Sequence, residues 1–180
     1  MTLEQVVIAL IRITGSLPVL RWAYFGALLA ILVDFSDLFW MGVLDLGGVP
    51  NYQTFDKWLD LVYMGAFFYV SIRWIGYDKT ISIILFICRI FGLLIFEFTG
   101  LRLALLYVPN VFEFWFLFVA ARKHFYPLHA MSLRGTLIAL TCCTILKIGQ
   151  EWVLHGWKYL DKFTFFEALE IIYLFFVFWK

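Results

Sequence analysis

The chain has 180 residues, of which 64% are hydrophobic, 21% aromatic and only 15% charged, with a mean hydropathy of +0.91 and a formal net charge of +1. A soluble domain carries about 25% charged residues, and a water-exposed globule of this size could not hide so much apolar surface. The composition therefore excludes an ordinary soluble protein, and the near-zero charge gives no support for nucleic-acid binding. What remains is one membrane-embedded, all-α domain: a polytopic helical bundle in lipid.

Residues 1–18 read as a short interfacial amphipathic helix. Thr2 and Gln5 have capping-box spacing, Val6, Val7, Leu10 and Ile11 share one side, and Gly15 and Pro18 end the segment. About 20 apolar residues cross a hydrocarbon core of about 30 Å. By that measure six spans follow, at about 20–44, 58–75, 79–98, 101–121, 132–152 and 163–179. The N-terminus lacks the basic region and cleavage site of a signal peptide, so the first span is expected to serve as its own insertion signal. Cys88, Cys142 and Cys143 all fall in apolar stretches and read as buried thiols, not a disulfide framework. Trp22, Tyr24, Trp40, Trp58, Trp74, Tyr77, Trp152 and Trp157 fall near span ends, as an interfacial aromatic belt would.

Lysine and arginine placement orients the chain. One side receives Arg12, Arg21, Arg73, Lys79, Arg122, Lys123, Arg134 and Lys180; the other receives Lys57, Arg102, Lys158 and Lys162. This imbalance predicts a cell (plasma or inner) membrane protein with both termini cytoplasmic. Arg122, Lys123, His124 and Arg134 are read chiefly as that topology signal, with attraction to anionic lipid as the sharper alternative.

Two groups of polar residues stand out, because an ionisable side chain inside a membrane is costly. The first is Asp34 and Asp37, three apart, with Asp56 and Asp60, four apart, beyond a short connection. Four converging carboxylates would repel one another, and a divalent cation is the candidate cofactor that relieves them. The alternative is a solvated loop flank, with Asp56 and Asp60 favoured by the first turn of a helix. In spacing, this acidic pattern resembles that of the CDP-alcohol phosphotransferases, which implies a divalent metal held by Asp34, Asp37, Asp56 and Asp60. The pattern departs from that family at Leu38, at Met41 and Gly42, and at Gln53, so the likeness is one of spacing over about 27 residues and membership is not claimed.

The second group is Arg89, Glu97, Arg102, Glu113, Lys147, Glu151 and His155. Arg89 is expected to pair with Glu97, eight residues on, or with Glu113, read as lying mid-span after a kink at Pro109 and Asn110. Lys147, Glu151 and His155 form a stripe at four-residue intervals. Either these charges neutralise one another as structural pairs, or they line a polar cavity for a substrate or headgroup. No HExxH, GxSxG or glycine-rich phosphate loop occurs. Two principal functions fit. One is an enzyme or carrier acting on a lipid or amphiphile through a polar, metal-holding cavity in the outer half of the bundle. The other is a non-catalytic subunit that docks on a membrane-protein partner, or on a second copy, through its aromatic face. A small transporter is the third reading.

Overall fold

In the computed structural model, residues 2–44, 46–100, 108–127 and 131–152 are described, and every regular element among them is helical. In chain order these are α1 (Leu3–Ser16), a 3-10 turn (Leu17–Leu20), α2 (Ala23–Phe35), α3 (Asp37–Leu44), α4 (Tyr52–Ser71), α5 (Tyr77–Thr99), α6 (Val111–Phe125) and α7 (Leu133–Glu151). The sixth expected span, 163–179, lies outside the described residues. Three stretches among the described residues are long and apolar enough to cross a membrane: Leu3–Leu20, Ala23–Met41 and Tyr77–Thr99. Every 18-residue window of α4 carries Asp56, Lys57 and Asp60, and α6 has only 15 residues, about 22 Å of helix.

α1 begins as its sequence predicts. The Thr2 hydroxyl accepts from the Gln5 backbone N–H at 3.2 Å, and the Gln5 side chain accepts from the Thr2 N–H at 3.0 Å. The rest of the helix departs from a surface-lying one. Its polar residues Glu4, Gln5, Arg12 and Ser16 are buried against α2, α3 and α4, while Leu3, Leu10 and Leu17 are 61%, 57% and 55% exposed. The amphipathic pattern is therefore turned inside out, charges inward and leucines outward, as lipid surroundings favour. The chain then folds back through the 3-10 turn into α2. Gly26 makes that hairpin possible, because a Cβ there would stand 2.3 Å from the Val19 backbone nitrogen and 2.5 Å from the Pro18 carbonyl carbon. Gly15 likewise lies close under Val33.

This hairpin returns the N-terminus to the far end of α2. The Thr2 hydroxyl donates to the Gly48 carbonyl at 2.8 Å, and the Glu4 carboxylate accepts from the Leu46 and Gly48 N–H groups at 3.1 and 2.9 Å. Thr2 and Arg21 thus stand at opposite ends of the bundle, although the sequence assigns both to one side.

Other expected boundaries shift for identifiable reasons. The first expected span, 20–44, is broken between α2 and α3, where the Ser36 hydroxyl donates to the Val33 carbonyl at 2.6 Å and accepts from the Trp40 indole at 3.1 Å. α4 starts at Tyr52, after Asn51 at a left-handed φ of 53°, so Asp56 and Asp60 lie beyond its first turn and lose the help of the helix N-terminus. Pro109 precedes α6 instead of kinking it, because proline disfavours helical geometry in the residue before it. Glu113 consequently sits in the first turn of α6, not mid-span.

The apolar core is aromatic and centred on α6. Phe112, Trp115, Phe116 and Val119 are all 0% exposed and pack on Val19, Ala27, Met64 and Phe67. Phe116 stacks on Phe67 at 4.2 Å and on Trp74 at 5.1 Å. Trp74 is therefore a core residue, while Trp22 and Trp58, 62% and 60% exposed, face outward as an aromatic belt requires. α5 turns Ile87, Phe91, Leu94 and Phe98 outward.

Candidate functional site

Four helices and the turn between two of them bring Asp34, Asp37, Asp56 and Asp60 together around a residue that sequence reasoning assigned elsewhere. Arg12 of α1 reaches into their midst. Its Nη1 donates to Asp37 Oδ2 at 3.0 Å and Asp56 Oδ1 at 2.9 Å; its Nη2 donates to Asp60 Oδ1 at 2.7 Å and also to Asp34 Oδ1. Lys57 Nζ adds contacts to Asp56 at 2.6 Å and Asp60 at 3.3 Å, and Arg89 Nη2 reaches Asp60 Oδ2 at 3.6 Å. The planar five-donor guanidinium is suited to such a fork, and repulsion among the acids is relieved by the chain itself.

The interior of this core is closed: the Arg12 and Asp37 side chains are 2% exposed and Asp60 8%, whereas Asp34, Asp56 and Lys57 form an edge at 20–24%. Burial alone would raise the Asp56 carboxyl, but Lys57 and Arg12 hold it below the ordinary carboxylate range; this residue precedes the proposed 58–75 span. Asp37 Oδ1, Arg12 Nε and Arg89 Nε are buried with no hydrogen-bond partner.

The second group divides. Arg89 is buried and charge-paired, but with Asp60; Glu97 is exposed. Eight residues turn Glu97 about 80° around α5 from Arg89, which is enough to face it outward. Glu113 and Lys147 do approach each other, at 3.7 Å, with Asn110 donating to Glu113 at 3.3 Å and Lys147 to Gln150 at 2.8 Å. Arg102, His155 and the side chain of Glu151 lie outside the described residues.

A third cluster is built on an acid that the sequence reading did not single out, Asp78. It is buried and holds Arg122 at 2.5 Å and Lys123 at 2.9 Å, which fixes the end of α6 against the start of α5. Beside it opens a cleft of about 450 Å³, lined by Arg21, Trp22, Tyr24, Phe25, Trp74, Lys123 and His124. His124 stacks on Tyr24 at 5.6 Å and meets Phe25 edge-on at 5.0 Å, while the Lys123 ammonium stands 5.7 Å from the Trp74 ring centre. The first turn of α2 forms one wall, and no side chain caps it. Asp60 lies eleven residues, about 16 Å of helix, before the end of α4 at Ser71, and Trp74 follows that end, so the cleft and the aspartate core stand well apart along the bundle. Among the described residues, none of those singled out for a polar cavity lines it.

The chain matches no protein-family model, no curated protein and no solved structure.

Proposed function

We propose that this chain is a multi-pass, lipid- or amphiphile-handling membrane protein, and that the ligand's polar end is received in the cleft between the start of α2, the turn after α4 and the end of α6. The observation that carries the reading is the cleft's lining: Arg21, Lys123 and His124 interleaved with Trp22, Tyr24, Phe25 and Trp74. Cations supply attraction for an anionic headgroup, and indole and phenol rings suit the boundary between headgroup and acyl chain. The uncapped start of α2 adds partial positive charge to the same wall. Phe25, Leu29 and Leu32, 56%, 43% and 66% exposed, continue from the cleft along α2 and offer an apolar track for a chain.

The cleft end gathers Arg21, Arg73, Lys79, Arg122, Lys123 and Arg134, and we assign it to the cytoplasmic face. Arg12 no longer counts toward topology, since its charge is spent in the core. With α1 and α2 forming a hairpin, Thr2 is then assigned to the opposite face, a revision of the cytoplasmic N-terminus expected from sequence. Six apolar spans after α1 remain the proposed organisation.

The test is thermal stability of the detergent-purified chain during titration with anionic or zwitterionic phospholipid. Anionic lipid should raise the melting temperature, and Arg21→Gln with Lys123→Gln should abolish the gain. Equal responses to both lipids, unchanged by those substitutions, would leave only a generic aromatic belt and topology signal. A second reading is supported by a different observation: Arg12 closes the aspartate core, so those four acids act as architecture that holds α1, α2, α3 and α4 together.

A further inference from the structure

The charges around the cleft can be balanced residue by residue. Asp78 answers two cations, Arg122 at 2.5 Å and Lys123 at 2.9 Å. The Arg122 and Asp78 side chains are 11% and 8% exposed and make a closed, neutral pair. Lys123 is 33% exposed and lines the cleft, and one carboxylate cannot cancel a second cation, so its charge is in surplus. Arg21, exposed in the same lining, meets no acid at ion-pair distance among the described residues. The lining therefore carries two positive charges without a matching negative one. Hydrogen-bond donors accompany them. Bonding into α2 begins at Gly26, whose N–H donates to the Trp22 carbonyl at 2.7 Å, so the N–H groups of Ala23, Tyr24 and Phe25 have no partner within the helix. Those three residues line the cleft together with the five-donor guanidinium of Arg21 and the ammonium of Lys123.

We infer that the headgroup this cleft selects is a phosphomonoester, a lipid ending in a dianionic phosphate, in preference to a phosphodiester. The inference rests on the reading of the cleft as a headgroup site and narrows its ligand. A phosphomonoester brings a charge of about −1.5 to −2 at pH 7 and three strong acceptor oxygens. A diester brings a single charge and fewer free oxygens, and leaves one cation of the lining unanswered. Lys123 is the side chain that turns from one partner to the other. Asp78 holds its ammonium 5.7 Å from the Trp74 ring centre at the cleft wall. A dianion carries more charge than that carboxylate and draws Lys123 toward itself, while Arg122 continues to neutralise Asp78. The acyl chain then follows Phe25, Leu29 and Leu32 along α2.

The test is calorimetric titration of the full-length chain in detergent with dioctanoyl phosphatidate, dioctanoyl phosphatidylglycerol, dioctanoyl phosphatidylcholine and inorganic phosphate. It is run at pH 8, above the second phosphate pKa of about 6. Wild type should bind phosphatidate at least about tenfold more tightly than phosphatidylglycerol, a difference of about 1.4 kcal/mol. Arg21→Gln, a change at an exposed position, leaves one surplus charge and should bring the two affinities together. Lys79→Gln removes an exposed cation of the same end that does not line the cleft, and should keep the preference. Equal affinity of wild type for phosphatidate and phosphatidylglycerol, with both above phosphatidylcholine, would overturn the inference and leave the anionic-headgroup reading standing. A preference lost equally in Lys79→Gln would overturn it too, because the general charge of that end would then be its source. Equal binding of all three lipids would remove the headgroup reading itself. Inorganic phosphate should bind more weakly than phosphatidate; phosphate that matches it would overturn the lipid as the source of the dianion.

Discussion

Replacing Arg12 by leucine should be among the most damaging single changes in the chain. The guanidinium makes contacts of 3.0, 2.9 and 2.7 Å with Asp37, Asp56 and Asp60, besides its contact with Asp34. At an effective dielectric of 20, one such contact corresponds to about 6 kcal/mol of gross attraction. Desolvation cancels most of it, and removal of one partner from a buried ion pair costs about 3–5 kcal/mol, chiefly because the remaining charge is stranded. Here four carboxylates would be left with Lys57 and Arg89 alone. For a chain of this size, each kcal/mol moves the melting temperature by about 2–4 °C, so Arg12→Leu should lower it by about 6–20 °C. Tryptophan fluorescence during heating in detergent reads the loss. Adding Asp37→Asn should recover part of it, because the second change removes a buried charge that Arg12 no longer answers. An Arg12→Leu protein that melts within about 2 °C of wild type would refute the reasoning, since the core would then hold nothing together.

Three further outcomes follow from the same geometry. Arg89→Leu and Asp60→Asn should be coupled by about 0.5–3 kcal/mol in a double-mutant cycle, whereas Arg89→Leu and Glu97→Gln should add, because Arg89 pairs with Asp60 and Glu97 is exposed. Additive behaviour of the first pair would show the 3.6 Å contact to be without energetic weight. Gly26→Ala should destabilise by about 1–3 kcal/mol, because its Cβ would meet the Val19 backbone nitrogen at 2.3 Å; an unchanged melting temperature would mean that the hairpin does not close there. A Thr2→Cys chain lacking Cys88, Cys142 and Cys143 should react, in intact cells, with a thiol reagent that cannot cross membranes; labelling only after permeabilisation would return the N-terminus to the cytoplasm.

Much of the membrane character was legible because composition and long apolar runs depend on no tertiary contact. The spacings of Asp34 with Asp37, and of Asp56 with Asp60, likewise marked those acids before any fold was known. What neutralises them was not legible, since Arg12 lies 22 to 48 residues away and helix periodicity carries no information about such distances. A signal did exist within α1: Glu4, Gln5, Arg12 and Ser16 fall on one stripe of an otherwise apolar helix, and polar residues that share a face in lipid turn inward. Reading the segment as a helix lying on the membrane left no partner for that polar stripe, which packs against α2, α3 and α4. The Arg89–Glu97 expectation failed on a rotation of about 80° within one helix, and Glu113 was misplaced because Pro109 was taken as a kink when it stands before the helix start. Asp78 escaped notice because one acid near a helix start is commonplace; only its two basic partners from α6 distinguish it.

The most direct test of the proposed function is to ask which lipid stays with the protein. The chain would be reconstituted in nanodiscs containing an equal mixture of anionic and zwitterionic phospholipid, then released into the gas phase for native mass spectrometry. Lipid binding in the cleft predicts that wild type retains anionic lipid in preference to zwitterionic lipid. Arg21→Gln with Lys123→Gln should erase that preference while Arg134→Gln, a basic residue outside the cleft lining, keeps it. Equal retention of both lipids by wild type, or a preference that survives loss of Arg21 and Lys123, would contradict it.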